Sequence, residues 1–172
     1  KNCEIFLNGH TVFVGDNNTG KSTILEAIDL VLGPERLSRY PVIDEHDFYA
    51  GEYIGEEDNE IKVTVEVIVS DLTDEQQRKF NNHIEWWNCE TKKMIEGPPP
   101  EATDQKIVSA ALRVGFEGYF DAEEDDFFGK SFFKSPLKDD DTYDFFGNQD
   151  KRLCGFLFLR TLRTRSEERR VG

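Results

Sequence analysis

Residues 15–22 read G-D-N-N-T-G-K-S and fit the pattern G-x-x-x-x-G-K-[ST]. A short apolar run at residues 11–14 precedes this stretch. A helical repeat of apolar residues follows it from Ser22 and stops at Gly33 and Pro34. Strand, loop and helix in this order form the context in which the pattern makes a phosphate-binding loop (P-loop). The sequence therefore predicts an α/β fold with a P-loop.

Each residue type in this loop has a physical role in binding a nucleotide. Glycines let the backbone turn so that amides face an anion at the positive end of a helix. A lysine adds a mobile cation for the β- and γ-phosphates, and a serine hydroxyl is a hard ligand for Mg²⁺. The candidate nucleotide-binding residues are Gly15, Asp16, Asn17, Asn18, Thr19, Gly20, Lys21, Ser22 and Thr23.

Three of these residues carry the chemistry of the predicted site. Lys21 is the candidate catalytic residue, Ser22 is the candidate metal ligand, and Thr23 is expected on the α-phosphate side. The predicted cofactors are ATP and Mg²⁺. GTP is disfavoured because the sequence contains no NKxD motif, with which GTPases read the base.

A second acidic motif is needed for hydrolysis, in which an apolar strand ends in a carboxylate that holds Mg²⁺. Residues 65–71 are the one formal candidate, ending at Asp71. The same residues alternate between apolar and polar, which is typical of a half-exposed strand that runs into a turn. We favour the turn interpretation, and the catalytic interpretation stays open.

Composition limits the function classes. The 172 residues carry a net charge of −14, and 37% of them are hydrophobic, which indicates a globular chain able to bury a core. The acidic balance disfavours nucleic-acid binding by this part of the protein. Apolar runs are shorter than a membrane span, and the three cysteines show no CxxC spacing, so we expect no membrane contact and a cytoplasmic location.

Local patterns predict the remaining elements. Strands are expected at residues 4–7, 11–14, 61–70, 110–120, 127–133 and 153–159. A helix is expected to begin at a Thr73–Gln76 capping box and to include Phe80, Ile84 and Trp87. Residues 35–59 and 139–150 are expected to be loops, the first with a helical turn at 44–48, and residues 96–100 a polyproline linker.

Three stretches together resemble a known family. They are G-D-N-N-T-G-K-S-T-I-L-E-A-I-D-L-V-L-G-P-E-R-L at residues 15–37, V-I-D-E-H-D-F-Y at 42–49 and K-R-L-C-G-F-L-F-L-R-T-L-R-T at 151–164. This chain resembles the N-terminal ATPase of the OLD (overcoming lysogenisation defect) ATP-dependent nucleases. The core G-x-N-x-x-G-K-S is also shared with RecF-like and structural-maintenance-of-chromosomes ATPases.

The strand patterns predict an antiparallel β subdomain built from residues 4–7, 61–70 and 110–133. The resemblance implies that this subdomain belongs to an ABC/RecF-like ATPase lobe. It also implies a Toprim nuclease domain later in a longer chain, DNA contacts outside these residues, and a homodimer of the full-length protein. Residues 1–164 are expected to be a partial P-loop ATPase domain, and residues 165–172 a non-native or disordered tail. The alternatives are a RecF-like repair ATPase and a nucleotide-dependent interaction module without catalysis.

Overall fold

A computed structural model describes residues 3–17, 19–55, 60–97 and 107–159. Its helices are α1 (Lys21–Leu32), α2 (Asp74–Lys79) and α3 (Asn148–Cys154), and its strands are β1 (Lys62–Val69), β2 (Ile84–Asn88), β3 (Lys93–Ile95), β4 (Val108–Asp121) and β5 (Asp126–Phe133). Short 3₁₀ turns lie at Arg36–Ser38, Glu45–Asp47, Tyr49–Gly51 and Asn81–His83. The α/β class and the antiparallel sheet agree with the prediction.

The long strand β4 organises the sheet. Strand β1 pairs with one of its edges, while β2 and β5 follow one another along the other edge, and β3 extends the sheet beyond β2. All of these pairings are antiparallel. As a result Leu112 lies between Val69 and Ile84, and Val114 lies between Val67 and Phe133.

The inner face of this sheet packs against α1. Alternation along β1 turns its valines inward, as predicted, and Leu112, Val114 and Phe116 of β4 are buried beside them. The last turn of α1, Phe80, Phe133 and Phe146 complete the core. Burial of this continuous apolar surface positions α1, and therefore the loop from which it starts.

Two predicted strands before the loop are not formed. Residues 3–14 contain no strand pairing, and side chains that a strand would bury are exposed, with Val12 at 81% and Val14 at 90%. A strand needs a neighbour for its amides and carbonyls. None of the described residues pairs with this segment, so the predicted role of residues 4–7 in the β subdomain is also wrong.

Two further predictions are wrong after β1. The helix that starts at Thr73 ends at Lys79, and the apolar spacing of Ile84 and Trp87 belongs to strand β2 instead. Residues 148–154 form α3, where a loop and the start of a strand were predicted, and Leu157 and Leu159 beyond it are exposed. The predicted linker at 96–100 falls partly outside the described residues.

A charged side chain lies fully inside the core. Lys151 of α3 has no exposed surface, and its Nζ donates to the carbonyl oxygen of Leu30 at 3.2 Å. Ser131 of β5 is equally buried and donates to the same oxygen at 3.4 Å. Burial lowers the pKa of Lys151 from 10.5 to about 8, although the negative charge of Asp29 raises it in part.

This lowered pKa predicts a dependence of stability on pH. Between pH 8 and 10.5 the unfolded chain binds more protons at Lys151 than the native chain, so the free energy of unfolding rises with pH, and the gain is lost as the pH falls to 8. For Lys151 the rise from pH 8 to 9 is about 1 kcal/mol. Burial raises the pKa of Cys154 from 9.0 to about 11, which acts in the opposite direction.

Urea titrations of the wild type and Lys151→Met at both pH values measure this effect. The difference between the two proteins cancels the contribution of Cys154 and isolates that of Lys151. We expect this difference to change by about 1 kcal/mol in favour of the wild type at pH 9. A difference that stays constant from pH 8 to 9 contradicts the prediction.

Candidate functional site

The predicted phosphate-binding loop leads directly into α1. Gly20 immediately precedes the helix with φ +86°, a left-handed conformation that favours glycine, and the amide of Ile24 donates to its carbonyl at 3.1 Å. Gly15 has φ +158°, and an added Cβ there would lie 3.3 Å from Thr19 Oγ1. Both glycines are therefore suited to the tight path of this loop.

The side chain of Lys21 folds back over the loop. Its Nζ donates to the carbonyl oxygen of Gly15 at 2.8 Å, to that of Asp16, and to the hydroxyl of Thr19 at 3.3 Å. Thr19 in turn donates to the Asp16 carbonyl at 2.9 Å. These contacts hold the ammonium beside the loop backbone, where it closes the turn between Asp16 and the helix.

The first turn of α1 is open to a ligand. It reads K-S-T-I, without an acidic residue, and no described side chain caps it. The amides of a first helical turn have no partner within the helix. Because Ser22 and Thr23 are exposed, their hydroxyls are accessible beside these amides.

The residues present fit phosphate and a magnesium ion. Uncapped amides, the positive end of a 12-residue helix and an ammonium group favour an anion, and the Ser22 hydroxyl is an oxygen donor of the kind Mg²⁺ takes. The structure thus brings Gly15, Asp16, Asn17, Thr19, Gly20, Lys21, Ser22 and Thr23 into one exposed loop and helix start. Asn18 lies outside the described residues.

Asp71 does not show the geometry of a free carboxylate at a strand end. Asp71 has φ +56°. Its amide donates to Ser109 Oγ at 3.1 Å, and the Ser109 hydroxyl donates to the Asp71 carboxylate oxygen Oδ1 at 3.3 Å. Two residues later Thr73 and Gln76 form the predicted capping box of α2. These contacts favour the interpretation of Asp71 as a turn residue between β1 and α2.

Other side chains of types that occur in binding sites lie on the sheet or beside it. Trp86 and Trp87 lie in β2 and are half-buried, and the acidic turn at residues 121–126 closes the β4–β5 hairpin between the two predicted strands. His83 stacks on Phe133 with 3.8 Å between ring centroids. Arg160 and Arg163, which follow the predicted last strand, lie outside the described residues.

Sequence reasoning missed Lys151. The sequence contains local signals for the helix that carries it, namely Asp150 three residues after Gly147 and Gly155 after the helix. In the structure Asp150 accepts from the amide of Gly147 at 3.2 Å, and Gly155 adopts a left-handed conformation. These are start and stop signals of a short helix. On such a helix Lys151 and Cys154 share a face. The predicted loop at residues 139–150 and strand at residues 153–159 placed them in no common element.

Comparison with protein families matches residues 1–157 to the AAA ATPase domain. Neither the comparison with curated proteins nor that with solved structures gave a match. In the described ranges, no helix combines the length and the apolar character needed to cross a bilayer.

Proposed function

Because the chain belongs to the AAA ATPase domain family, we propose that it binds ATP with Mg²⁺ through the loop at residues 15–22 and the first turn of α1. The family is one of nucleotide-binding ATPases, and the family match covers this loop. The observation that carries the assignment is the uncapped, exposed helix start that follows a left-handed Gly20, with the Lys21 ammonium folded back over the loop. This is an arrangement that recruits phosphate oxygens.

Individual roles follow from the chemistry of each group. On binding, Lys21 exchanges its loop oxygens for β- and γ-phosphate oxygens and neutralises charge there. Amides of residues 17–22 bind phosphate, Ser22 offers a ligand to Mg²⁺, and Thr23 faces the α-phosphate side. Calorimetric titration with Mg·ATP and Mg·GTP tests the site, and we expect binding of Mg·ATP with a preference over Mg·GTP.

We propose more specifically that residues 1–164 are the ATP-binding portion of an OLD-type ATP-dependent DNA endonuclease. In this proposal ATP hydrolysis regulates a Toprim nuclease domain outside these 172 residues, DNA binds outside them, and the full-length protein is a cytoplasmic homodimer. The resemblance at residues 15–37, 42–49 and 151–164 supports it. A gene with no Toprim sequence downstream would instead favour a RecF-like repair ATPase or a non-catalytic interaction module.

The isolated chain is expected to bind nucleotide without turning it over. Phosphoryl transfer needs Mg²⁺ held from two sides and a positioned water, and the groups assigned here are the loop, Lys21 and Ser22. We expect phosphate release at background with Mg·ATP, with and without DNA. We also expect Asp71→Asn to leave the Kd for Mg·ATP within twofold, since the Asp71 amide and carboxylate contact Ser109. Turnover that Asp71→Asn abolishes would identify residues 65–71 as the catalytic acid strand.

A further inference from the structure

The C-terminal end of α1 is held by donors from two other elements. The last four carbonyls of a helix lack partners within it, and Leu30 contributes one of them. Its oxygen accepts from Lys151 Nζ at 3.2 Å and from Ser131 Oγ at 3.4 Å, and both donors are fully buried. Helix α3 and strand β5 thus each donate a hydrogen bond to the same oxygen at the end of α1.

Electrostatics give the lysine a particular fit at this place. The last turn of α1 reads D-L-V-L and contains no basic residue, although the C-terminal end of a helix carries partial negative charge. Asp29 in the same turn is buried and adds a carboxylate whose charge acts on Lys151. Lys151 therefore supplies from α3 the cation that α1 itself does not provide.

Stability alone does not explain a cation at this position. Removing an ammonium group from water is costly, and an apolar side chain of similar volume is often as good or better in a core. Cationic side chains usually stay in contact with water. Arg152, the next residue on α3, does so: it is largely exposed, and its Nη2 lies 3.6 Å from Glu35 Oε1 on the surface. A buried, directed charge is better suited to fixing one arrangement of α1 than to adding stability.

We propose that Lys151 is a positioning residue for the phosphate-binding loop, because its bond to Leu30 fixes the C-terminal end of the helix that begins at this loop. The proposal rests on the proposed nucleotide site. A 12-residue helix is about 18 Å long and transmits a constraint at one end to the other as a rigid element. By linkage, phosphate bound at the loop strengthens the contact at Leu30 by the same factor.

Lys151→Met tests the proposal, and Arg152→Met is the matched control. Both remove a positive charge from α3, but the second side chain is exposed. We expect Lys151→Met to weaken Mg·ATP binding at least fivefold by calorimetry and to speed amide hydrogen exchange at residues 19–24 without nucleotide. Arg152→Met is expected to leave both within twofold. Wild-type affinity and exchange in Lys151→Met would overturn the proposal.

A spectroscopic readout separates positioning from packing. In the wild type, Mg·ATP is expected to shift the ¹⁵N resonance of Lys151 Nζ and to slow amide hydrogen exchange in α3. If neither the resonance nor the exchange changes at saturating nucleotide, the proposal is overturned. If the wild type does not bind Mg·ATP, the proposed function fails, whereas exchange at residues 19–24 in the free proteins still decides whether Lys151 holds the loop.

A second variant covers the case in which Lys151→Met does not fold. Ser131→Ala removes the other donor to the Leu30 oxygen and is a smaller change. We expect it to weaken Mg·ATP binding at least twofold and to speed exchange at residues 19–24. Unchanged values in this variant, together with a ¹⁵N resonance of Lys151 Nζ that Mg·ATP does not shift in the wild type, would then overturn the proposal.

Discussion

Replacement of Lys21 by alanine is expected to weaken Mg·ATP binding by roughly 10- to 150-fold. The ammonium that now contacts the carbonyls of Gly15 and Asp16 is the mobile cation of the proposed site. Loss of charge-assisted hydrogen bonds worth about 1.5 to 3 kcal/mol gives this range. Isothermal titration calorimetry of the purified chain measures it directly.

The matched control is Lys79→Ala. Lys79 is an exposed lysine in the last turn of α2, so the variant has the same change in net charge as Lys21→Ala. We expect its Kd for Mg·ATP to remain within twofold of the wild type. Equal affinities of the wild type and Lys21→Ala would remove the basis of the nucleotide assignment, and a similar loss in both variants would indicate a nonspecific charge effect.

Replacement of Phe116 by alanine is expected to lower the free energy of unfolding by about 3 to 5 kcal/mol. The ring is 1% exposed and lies over the backbone of two glycines. A Cβ at Gly118 would lie 3.0 Å from it, and a Cβ at Gly129 would lie 2.7 Å from it. Because the two glycines beneath the ring have no side chains that could move into the space, the cavity left by its removal cannot be filled easily.

Phe128→Ala is the control for this prediction. Phe128 lies on the same hairpin, is 41% exposed, and stacks on Tyr119 with 6.0 Å between ring centroids. Its loss is expected to cost about 1 kcal/mol or less. Urea denaturation followed by circular dichroism compares the two variants, and equal losses would show that Phe116 does not carry the core of the sheet.

The residues of the candidate site could be predicted from the sequence, but only some of their contacts could. The pattern at residues 15–22 indicated which backbone and side-chain groups would gather at a helix start, because glycine conformation and helix capping act within a few residues. The contacts of Lys21 with Gly15, Asp16 and Thr19 emerge only when the loop closes. The contact between Asp71 and Ser109 likewise forms only in the folded chain, because the two residues are 38 positions apart.

The amino-acid sequence alone determined the elements whose signals are local. Helix α1 follows from its apolar repeat and its stop at Gly33, β1 from its alternating valines, and α2 from the capping box at Thr73. The β4–β5 hairpin follows from two strand patterns around an acidic turn. For α1, the start of α2 and the β4–β5 hairpin, the deciding interactions join residues close together in the chain. The alternating pattern of β1 is also local, but the strand itself needs β4 as its partner.

Tertiary structure decided everything that depends on a distant partner. Residues 84–88 have an apolar spacing that also suits a helix, but the free edge of β4 pairs with their amides and carbonyls and makes them a strand. Residues 11–14 have a strand pattern and no such partner among the described residues, and they remain unpaired. Lys151 is buried only because α1, β5 and α3 converge on the Leu30 carbonyl, 121 residues away in sequence, and hydrogen bonds across such separations are absent from any local pattern.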